Sequence, residues 1–412
     1  MQKPELLAPA GNLEKLYTAV RYGADAVYLG GKEFSLRAGA GNFSHEDMVK
    51  GIRFAHERGV KIYVTVNIFA HNHDIERLIP YIEILNELKV DGILISDPGI
   101  FRLIRKRFPH LNIHISTQAN NTNWSTALFW QEMGAKRIVL ARELSLREIK
   151  EIRDNTELEL ESFVHGAMCI SYSGRCLLSN YLAGRDANQG DCAHPCRWKY
   201  RLEEEKRPGE YFPLEEDERG TYIFNSKDLC LVELIPDLIE AGVHSLKIEG
   251  RMKSSYYLAT VVKVYREVID AYWKNPNNFT FDKRWFEELG KVSHRHYTQG
   301  FAFNKPNAQD HRYDTSSYVR NYDFIGLVLE YLPETGEMRV EQRNRMSLGD
   351  KIEILPPQGN FIPWEISKMK NDQGEPIEHA PHPQQIVTMA APVEKIPPYS
   401  LLRRAHEKGN RG

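Results

Sequence analysis

Hydrophobic positions follow two alternating periods along the first 275 residues. Short runs rich in β-branched residues are followed by longer amphipathic runs, such as LEKLYTAVRYG and DIERLIPYIEILNELK, whose apolar residues recur at helical spacing. Eight strands are predicted, at 5–11, 26–31, 61–67, 92–97, 112–118, 137–143, 158–166 and 245–251. This order predicts a TIM-type (β/α) barrel over residues 1–275. A doubly wound sheet is the alternative, but no G-x-G-x-x-G turn supports it.

The pattern changes near residue 320. Period-two alternation interrupted by turn signals predicts a small all-β barrel domain over 320–395, as in YDFIGLVLEYLPETGEMRV. Residues 276–319 are interpreted as a helical linker between the two domains. The last segment, 396–412, is basic and is interpreted as a solvated tail.

Composition narrows the class of protein. The 412 residues include 54 Lys and Arg and 56 Asp and Glu, so a formal net charge of -2 argues against a general nucleic-acid coat but allows a local basic face. No uninterrupted apolar stretch is long enough to predict a membrane span, and the N-terminus lacks a signal-peptide pattern. We therefore expect a cytoplasmic protein with no membrane partner.

Polar residues follow seven of the eight predicted strands, where a barrel places its active site. They are Arg37, Asn67, Asp97, Gln118, Arg142 with Glu143, His165, and Lys247 with Glu249 and Arg251. The guanidinium and ammonium groups among them indicate a pocket that binds a small anionic molecule. We assign anion binding to Arg37, Arg142, Lys247 and Arg251. Polar or proton-transfer roles are assigned to Gln118, His165 and Glu249.

Four of the five cysteines lie between residues 165 and 196. Their spacing is Cys169-x6-Cys176-x15-Cys192-x3-Cys196, and only the second pair resembles a zinc knuckle. Soft thiolates also bind iron–sulfur clusters, whose spacings vary more widely. Spacing alone leaves zinc and iron–sulfur open, while Cys230 in its apolar run is predicted to be a buried core residue.

A proteolytic nucleophile is the third interpretation of this segment. Ser171, Ser173 and Ser179 are the candidate nucleophiles, with His165 as base. The segment has no G-x-S-x-G elbow and no H-E-x-x-H helix, so its chemistry supports this interpretation weakly.

The stretch ESFVHGAMCISYSGRCLLS, residues 161–179, resembles the signature of the peptidase U32 family. Other blocks resemble that family too, among them ELLAPAGNLEKL, FSLRAGAGNFS, STQANNTN, VLARELSLREI and SKDLCLVELIPDLIEAGVHSLKIEGRMKS. The resemblance covers nearly the whole chain, and the region after 320 is similar to the family's C-terminal β-barrel domain.

This resemblance implies two different activities. The family name records a collagenase-like protease activity, whereas other members are oxygen-independent hydroxylation proteins with a [4Fe–4S] cluster on four cysteines. One such branch acts in ubiquinone synthesis, and another uses prephenate to convert the wobble uridine of tRNA to 5-hydroxyuridine. The length, second domain and KIEGRMKS block look most like the tRNA branch.

By this resemblance, Cys169, Cys176, Cys192 and Cys196 are the expected cluster ligands, and prephenate is the expected co-substrate. The expected macromolecular partners are the tRNA anticodon loop and, as in some branches, a second U32-family subunit. A base splayed from the loop could stack on an aromatic side chain. The candidates are Phe34, Phe43, Tyr172 and Trp198, although core packing is the commoner role of such residues. A U32-type peptidase and a non-catalytic RNA-binding metal protein are the alternatives.

Overall fold

The structure is a computed structural model of the chain. It describes residues 2–35, 42–68, 70–168, 178–185, 193, 195, 216–217, 220–221, 227–303 and 319–406. Strands and helices are numbered along the chain.

The first domain is a closed barrel of eight parallel strands, which confirms the predicted TIM-type architecture. The barrel strands are β1 (Glu5–Pro9), β2 (Ala26–Gly30), β3 (Lys61–Thr65), β4 (Gly92–Ile95), β5 (Ile113–Ile115), β6 (Arg137–Val139), β7 (Glu159–Ala167) and β11 (Ser245–Ile248). Neighbours pair in sequence order from β1 to β7, and β11 closes the barrel by pairing with both β7 and β1.

Helices between the strands surround this barrel. They are α1 (Leu13–Arg21), α2 (His45–His56), α3 (Asn72–Glu87), α4 (Pro98–Arg107), α5 (Trp124–Glu132), α6 (Leu146–Asn155), α8 (Ile235–Glu240) and α9 (Ser255–Lys274). Local sequence fixes where several begin. Ser44 and Ser145 each form a capping box with the residue three positions on, and the Asn12 side chain accepts a hydrogen bond from the backbone of Lys15.

Additional elements extend the barrel domain. Three-residue 3-10 helices occur at Thr117–Ala119, Val232–Leu234 and Pro276–Asn278, and α7 (Leu178–Ala183) follows β7. A short hairpin pairs β8 (Glu216–Asp217) with β9 (Gly220–Thr221). Strand β10 (Asp228–Cys230) runs antiparallel to β7, and β12 (Tyr297–Thr298) pairs with β10. Residues 276–319, which we interpreted as a helical linker, therefore contribute a strand to the first sheet as well as the helix α10 (Lys283–Leu289).

The second domain is an antiparallel seven-stranded sheet that forms a half-barrel. Its order is β17–β16–β21–β13–β14–β20–β18. The strands are β13 (Tyr322–Leu332), β14 (Glu337–Gln342), β16 (Lys351–Leu355), β17 (Ile362–Glu365), β18 (Met369–Lys370), β20 (Ile386–Ala390) and β21 (Leu401–Ala405), with a small side pair of β15 (Met346–Ser347) and β19 (His379–Ala380).

The interpretation of 396–412 as a solvated tail is wrong for its first part. Strand β21 lies inside the sheet between β13 and β16, and Leu401 and Leu402 are fully buried. Arg403 is also 0% exposed because Glu288 of α10 and Glu353 of β16 bind its guanidinium. Basic composition suggested solvation, but tertiary ion pairs allow this arginine to be buried.

The two domains share a polar and apolar interface. The Tyr22 hydroxyl lies 2.7 Å from the Leu355 carbonyl oxygen and 2.9 Å from that of Tyr399. Across the same interface, Arg343 of the second domain forms a 2.7 Å ion pair with Glu14 of α1. The half-barrel is therefore held against the outer helices of the barrel. None of the helices in the described ranges is long and apolar enough to cross a bilayer.

Candidate functional site

Arg251 lies at the carboxyl end of the barrel, immediately beyond β11, and is 4% exposed. Its Nη1 donates to Ser35 Oγ at 2.9 Å and contacts Thr65 Oγ1 at 3.4 Å, while its Nη2 donates to Asn42 Oδ1 at 2.6 Å. A Cβ on Gly30 would collide with both the guanidinium and Ser35. These three hydrogen-bond acceptors position the guanidinium.

Arg142 and Lys247 meet on one aromatic ring. The Arg142 guanidinium carbon lies 3.9 Å from the centre of the Phe163 ring, and Lys247 Nζ lies 5.3 Å from the same centre. Lys247 Nζ also donates to Glu161 Oε1 at 2.6 Å, and both residues are buried. Burial lowers the pKa of Lys247, although the Glu161 carboxylate opposes that shift. The ammonium group is thus already paired inside the barrel, so Arg142 is a better anion-binding candidate than Lys247.

Side-chain amides line the ends of β3 and β5. Asn67 Nδ2 donates to Ser116 Oγ at 3.2 Å, and Gln118 lies in the 3-10 helix that follows β5. Among the described residues, the buried amide oxygens of Asn67, Gln118, Asn120 and Asn121 have no hydrogen-bond partner. Unpaired buried acceptors are costly, so this side of the mouth favours a ligand that supplies hydrogen-bond donors.

His165 is brought into a different environment from the other predicted residues. It is 1% exposed, and its ring centre lies 5.9, 5.5 and 5.3 Å from those of Tyr257, Tyr265 and Tyr297. Burial lowers the pKa of His165 to about 3, so the imidazole is neutral. Its Nδ1 lies 3.3 Å from the Tyr265 hydroxyl, whereas the buried Nε2 has no partner within the part of the chain that the structure describes. These contacts join His165 to α9 and β12 and not to the amide side of the mouth.

Glu249 neighbours His165 through the backbone. Its N–H donates to the His165 carbonyl oxygen at 2.8 Å, and its own carbonyl accepts from the Tyr257 hydroxyl at 3.1 Å. A Cβ on Gly166 would lie 2.8 Å from the Glu249 Cβ, so the glycine allows this close approach. The structure therefore places Glu249 beside His165 at the end of β7.

Several mouth residues were not assigned roles from the sequence. Ser35, Thr65 and Asn42 position Arg251, and no local motif indicated them because they come together only in the folded barrel. Glu143 did appear among the strand-end polar residues, and burial raises the pKa of its carboxyl group. Asp97, another strand-end residue, instead caps α4 by accepting from the backbone of Ile100 at 2.9 Å.

The predicted ligands of the cysteine segment, together with Arg37, Tyr172, Trp198, Ser171 and Ser173, lie outside the described residues. Within the described part of the chain, no group of three or more His, Cys, Asp or Glu could hold a metal ion. Phe34 and Phe43 are both buried, so they pack in the core as expected for such residues. Cys230 is buried too, as predicted, and burial raises its thiol pKa to about 12.

One contact bridges the two ends of the cysteine segment. The N–H of Ala193, the residue after Cys192, donates to Ser179 Oγ at 2.8 Å, three residues beyond Cys176. Ser179 is fully buried, which opposes a nucleophilic role for it. The hydrogen bond brings Ala193 next to Ser179, fourteen residues earlier in the chain.

Comparison with known proteins agrees with this architecture. Residues 11–312 match Peptidase family U32, and residues 320–403 match Peptidase family U32 C-terminal domain. The chain belongs to peptidase family U32. Its two matched regions coincide with the barrel and the half-barrel.

Relatives within the U32 family carry two kinds of name. This U32 chain is 45% identical to tRNA hydroxylation protein P1 of Bacillus subtilis over 403 residues, covering 98% of this chain and 95% of that protein. It is 41% identical to tRNA hydroxylation protein P of Escherichia coli, with 98% and 97% coverage. A protein named collagenase from Porphyromonas gingivalis is 32% identical, with 97% coverage of both chains.

Proposed function

We propose that this protein is a tRNA hydroxylation enzyme that forms 5-hydroxyuridine at wobble position 34, independently of oxygen, with prephenate as co-substrate and a [4Fe–4S] cluster. The observation that carries the proposal is the identity of 41–45% to relatives named for tRNA hydroxylation along 98% of the chain. The tRNA anticodon loop is the macromolecular substrate in this proposal, and a second U32-family subunit stays a prediction.

The two sides of the barrel mouth suit two different substrates. Arg251 and Arg142 would bind the carboxylates of prephenate, because guanidinium groups match carboxylate geometry. A carboxylate supplies no hydrogen-bond donor to the amide oxygens of Asn67 and Gln118. A splayed uridine supplies the N3–H of its base and the hydroxyl of its ribose, so we assign the amide side to the nucleoside.

Four thiolates are a suitable donor set for an iron–sulfur cluster, and Cys169, Cys176, Cys192 and Cys196 are the proposed ligands. The hydrogen bond between Ala193 and Ser179 supports this assignment, because it joins a residue that follows Cys176 in sequence to the residue after Cys192. A bound cluster would supply electron-transfer capacity. In this arrangement His165 is a neutral, buried neighbour of the segment and not an exposed general base.

Nucleoside mass spectrometry of tRNA from a deletion strain tests the function. Loss of 5-hydroxyuridine and its derivatives is expected, with recovery by the wild-type gene but not by Cys176→Ala or Cys192→Ala. Cys230→Ala is the matched control, because this buried cysteine lies outside the segment, and it should restore the nucleoside. Unchanged wobble nucleosides in the deletion strain, once related genes are also removed, would refute the proposal.

Purification without air tests the cofactor separately. The wild-type protein and Cys230→Ala should contain iron and sulfide and show broad visible absorption that bleaches on reduction, whereas Cys176→Ala should not. Full occupancy by zinc without iron would reject the cluster.

The relative named collagenase supplies the second candidate function. A U32-type peptidase would cleave gelatin, and replacing Ser171 or Ser173 with Ala would abolish cleavage. tRNA binding without any change in nucleosides would instead support a non-catalytic RNA-binding metal protein.

A further inference from the structure

A second cavity lies at the opposite end of the barrel from the mouth. It has a volume of about 470 Å³ and opens beneath the first residues of β3, β6 and β7, which are Lys61, Arg137 and Glu159. Small-molecule sites commonly have volumes of about 300–1,000 Å³. The size therefore suits an organic ligand larger than a simple ion.

Positive charge predominates in the lining of this cavity. Four cations, Lys61, Lys89, Lys136 and Arg137, face two carboxylates. Those carboxylates already have partners. Glu159 binds Arg137 at 2.8 Å and Lys136 at 3.0 Å, and Asp91 accepts from the backbone N–H of Ile62 at 2.7 Å.

Lys89 is the lysine that this arrangement leaves available. Lys61 lies 3.4 Å from Glu5 and Lys136 lies 3.0 Å from Glu159. Among the described residues, no carboxylate lies within ion-pair distance of Lys89. Within that part of the chain its ammonium group therefore lacks a counter-charge, so it is available to solvent or to an anionic ligand.

The backbone of Lys89 is in the left-handed region, with φ of 55°. It occupies the turn between α3 and β4. The corresponding turns after α1, α2, α5 and α8 use glycine at positive φ, at Gly23, Gly59, Gly134 and Gly242. Glycine adopts this conformation without the steric cost that a side chain brings. A lysine kept at a strained position on a cavity wall indicates a functional role for its side chain.

Further polar groups complete the cavity. His114 is buried, and burial lowers its pKa well below the ordinary range, so this imidazole carries no charge. His110 Nε2 lies 2.8 Å from Asn86 Oδ1 at the rim. These groups offer hydrogen bonds beside the lysines.

We propose that this cavity binds a small organic phosphate, with its phosphate group held by Lys89 and flanked by Lys61 and Lys136. Lysine is a common phosphate ligand, and a doubly charged group matches clustered ammonium groups better than a single carboxylate does. The concave shape favours a small molecule over an RNA backbone. The proposal rests on the cavity alone and is independent of the tRNA hydroxylation activity.

Thermal unfolding of the full chain tests this site. Ribose 5-phosphate and inorganic phosphate are titrated, with potassium chloride at matched ionic strength as the reference. The wild-type protein should show a saturable rise in Tm with the phosphates beyond that with chloride. Lys89→Gly should weaken the apparent affinity at least tenfold, and without ligand it should be as stable as the wild type or more stable, because glycine fits the backbone.

Lys150→Ala is the matched control, because this exposed lysine on α6 lies away from the cavity, and it should behave like the wild type. Absence of a phosphate-specific rise in the wild type would overturn the proposal. A rise that Lys89→Gly retains in full would place the phosphate elsewhere and overturn it too. A response to tRNA that Lys89→Gly loses, with no response to either small phosphate, would show that the site takes a nucleic acid instead and would overturn the proposal.

Discussion

Replacing Arg403 with Met should destabilise the protein by about 3 kcal/mol. Arg403 is 0% exposed, its Nε donates to Glu353 at 2.7 Å, and its Nη2 lies 3.0 Å from Glu288. Lys291 also lies 3.1 Å from Glu288 and 3.2 Å from Glu353, so two cations balance two carboxylates. Removing the guanidinium leaves two carboxylates that share one cation, Lys291.

The magnitude follows from the burial of those carboxylates. Breaking a buried ion pair by removing one partner typically costs about 3–5 kcal/mol. Glu288 and Glu353 are 17% and 21% exposed, so partial hydration places the cost at the lower end of that range. Removing the surplus charge as well, in Arg403→Met with Glu353→Gln, should recover part of the loss.

The pH dependence gives an independent check. Burial alone would raise the pKa of Glu288, but its hydrogen bonds to Arg403 reverse the direction and hold the pKa below the ordinary value of 4.5. A lowered folded-state pKa contributes stability above that value, which is lost as the pH falls through the folded-state pKa. The wild type should therefore lose stability in acid more steeply than Arg403→Met.

Equilibrium urea unfolding followed by circular dichroism measures both effects. The matched control is Arg339→Met in β14 of the same sheet, where the ion pair with Glu330 is exposed and its loss should cost less than about 1 kcal/mol. If Arg403→Met were as stable as the wild type, or if Arg339→Met cost as much, the assigned role of the buried ion pairs would be refuted.

Three further substitutions test the barrel. Gly30→Ala should lower the free energy of unfolding by about 1–3 kcal/mol and reduce tRNA hydroxylation, because the new Cβ displaces the Arg251 guanidinium. Urea unfolding measures the first effect and nucleoside analysis the second, and unchanged values in both would contradict this geometry. Tyr265→Phe should cost about 0.5–1.5 kcal/mol, because the buried Val164 carbonyl loses the tyrosine hydroxyl but keeps the N–H of Leu231; a neutral result in the same urea assay would exclude a contribution from the lost hydrogen bond. Asn121→Ala should cost about 1–3 kcal/mol, because the Val139 and Ser116 carbonyls both lose its amide although Ser116 keeps the N–H of Ala119, whereas Asn155→Ala on exposed α6 should cost far less.

Sequence periodicity was sufficient to predict the barrel. Each of the eight predicted strands overlaps an observed one, because a strand buried in a parallel barrel carries a recognisable apolar run. Their ends were less certain. The run predicted at 137–143 forms β6 only as far as Val139, where its last pairing with β7 lies; the buried residues Leu140 and Ala141 continue the apolar run beyond the strand.

Strand β10 was missed for a related reason. Its three residues belong to an apolar run that correctly predicted a buried Cys230, but burial alone does not reveal pairing. Only the closed barrel leaves the edge of the extended β7 available for an antiparallel partner. The position of β21 was likewise decided by its pairing with β13, which lies more than seventy residues earlier in the chain. Local composition does not indicate such a distant partner.

The sequence by itself determined the family, the barrel, the half-barrel and the polar character of the barrel mouth. Tertiary structure alone decided which polar side chains share a surface. It pairs Lys247 with Glu161, brings Arg251 against Ser35 of another strand end, and buries His165 among tyrosines. The physical reason is that charge and hydrogen-bonding capacity belong to a residue, whereas the partner that neutralises or orients it comes from a distant strand or helix.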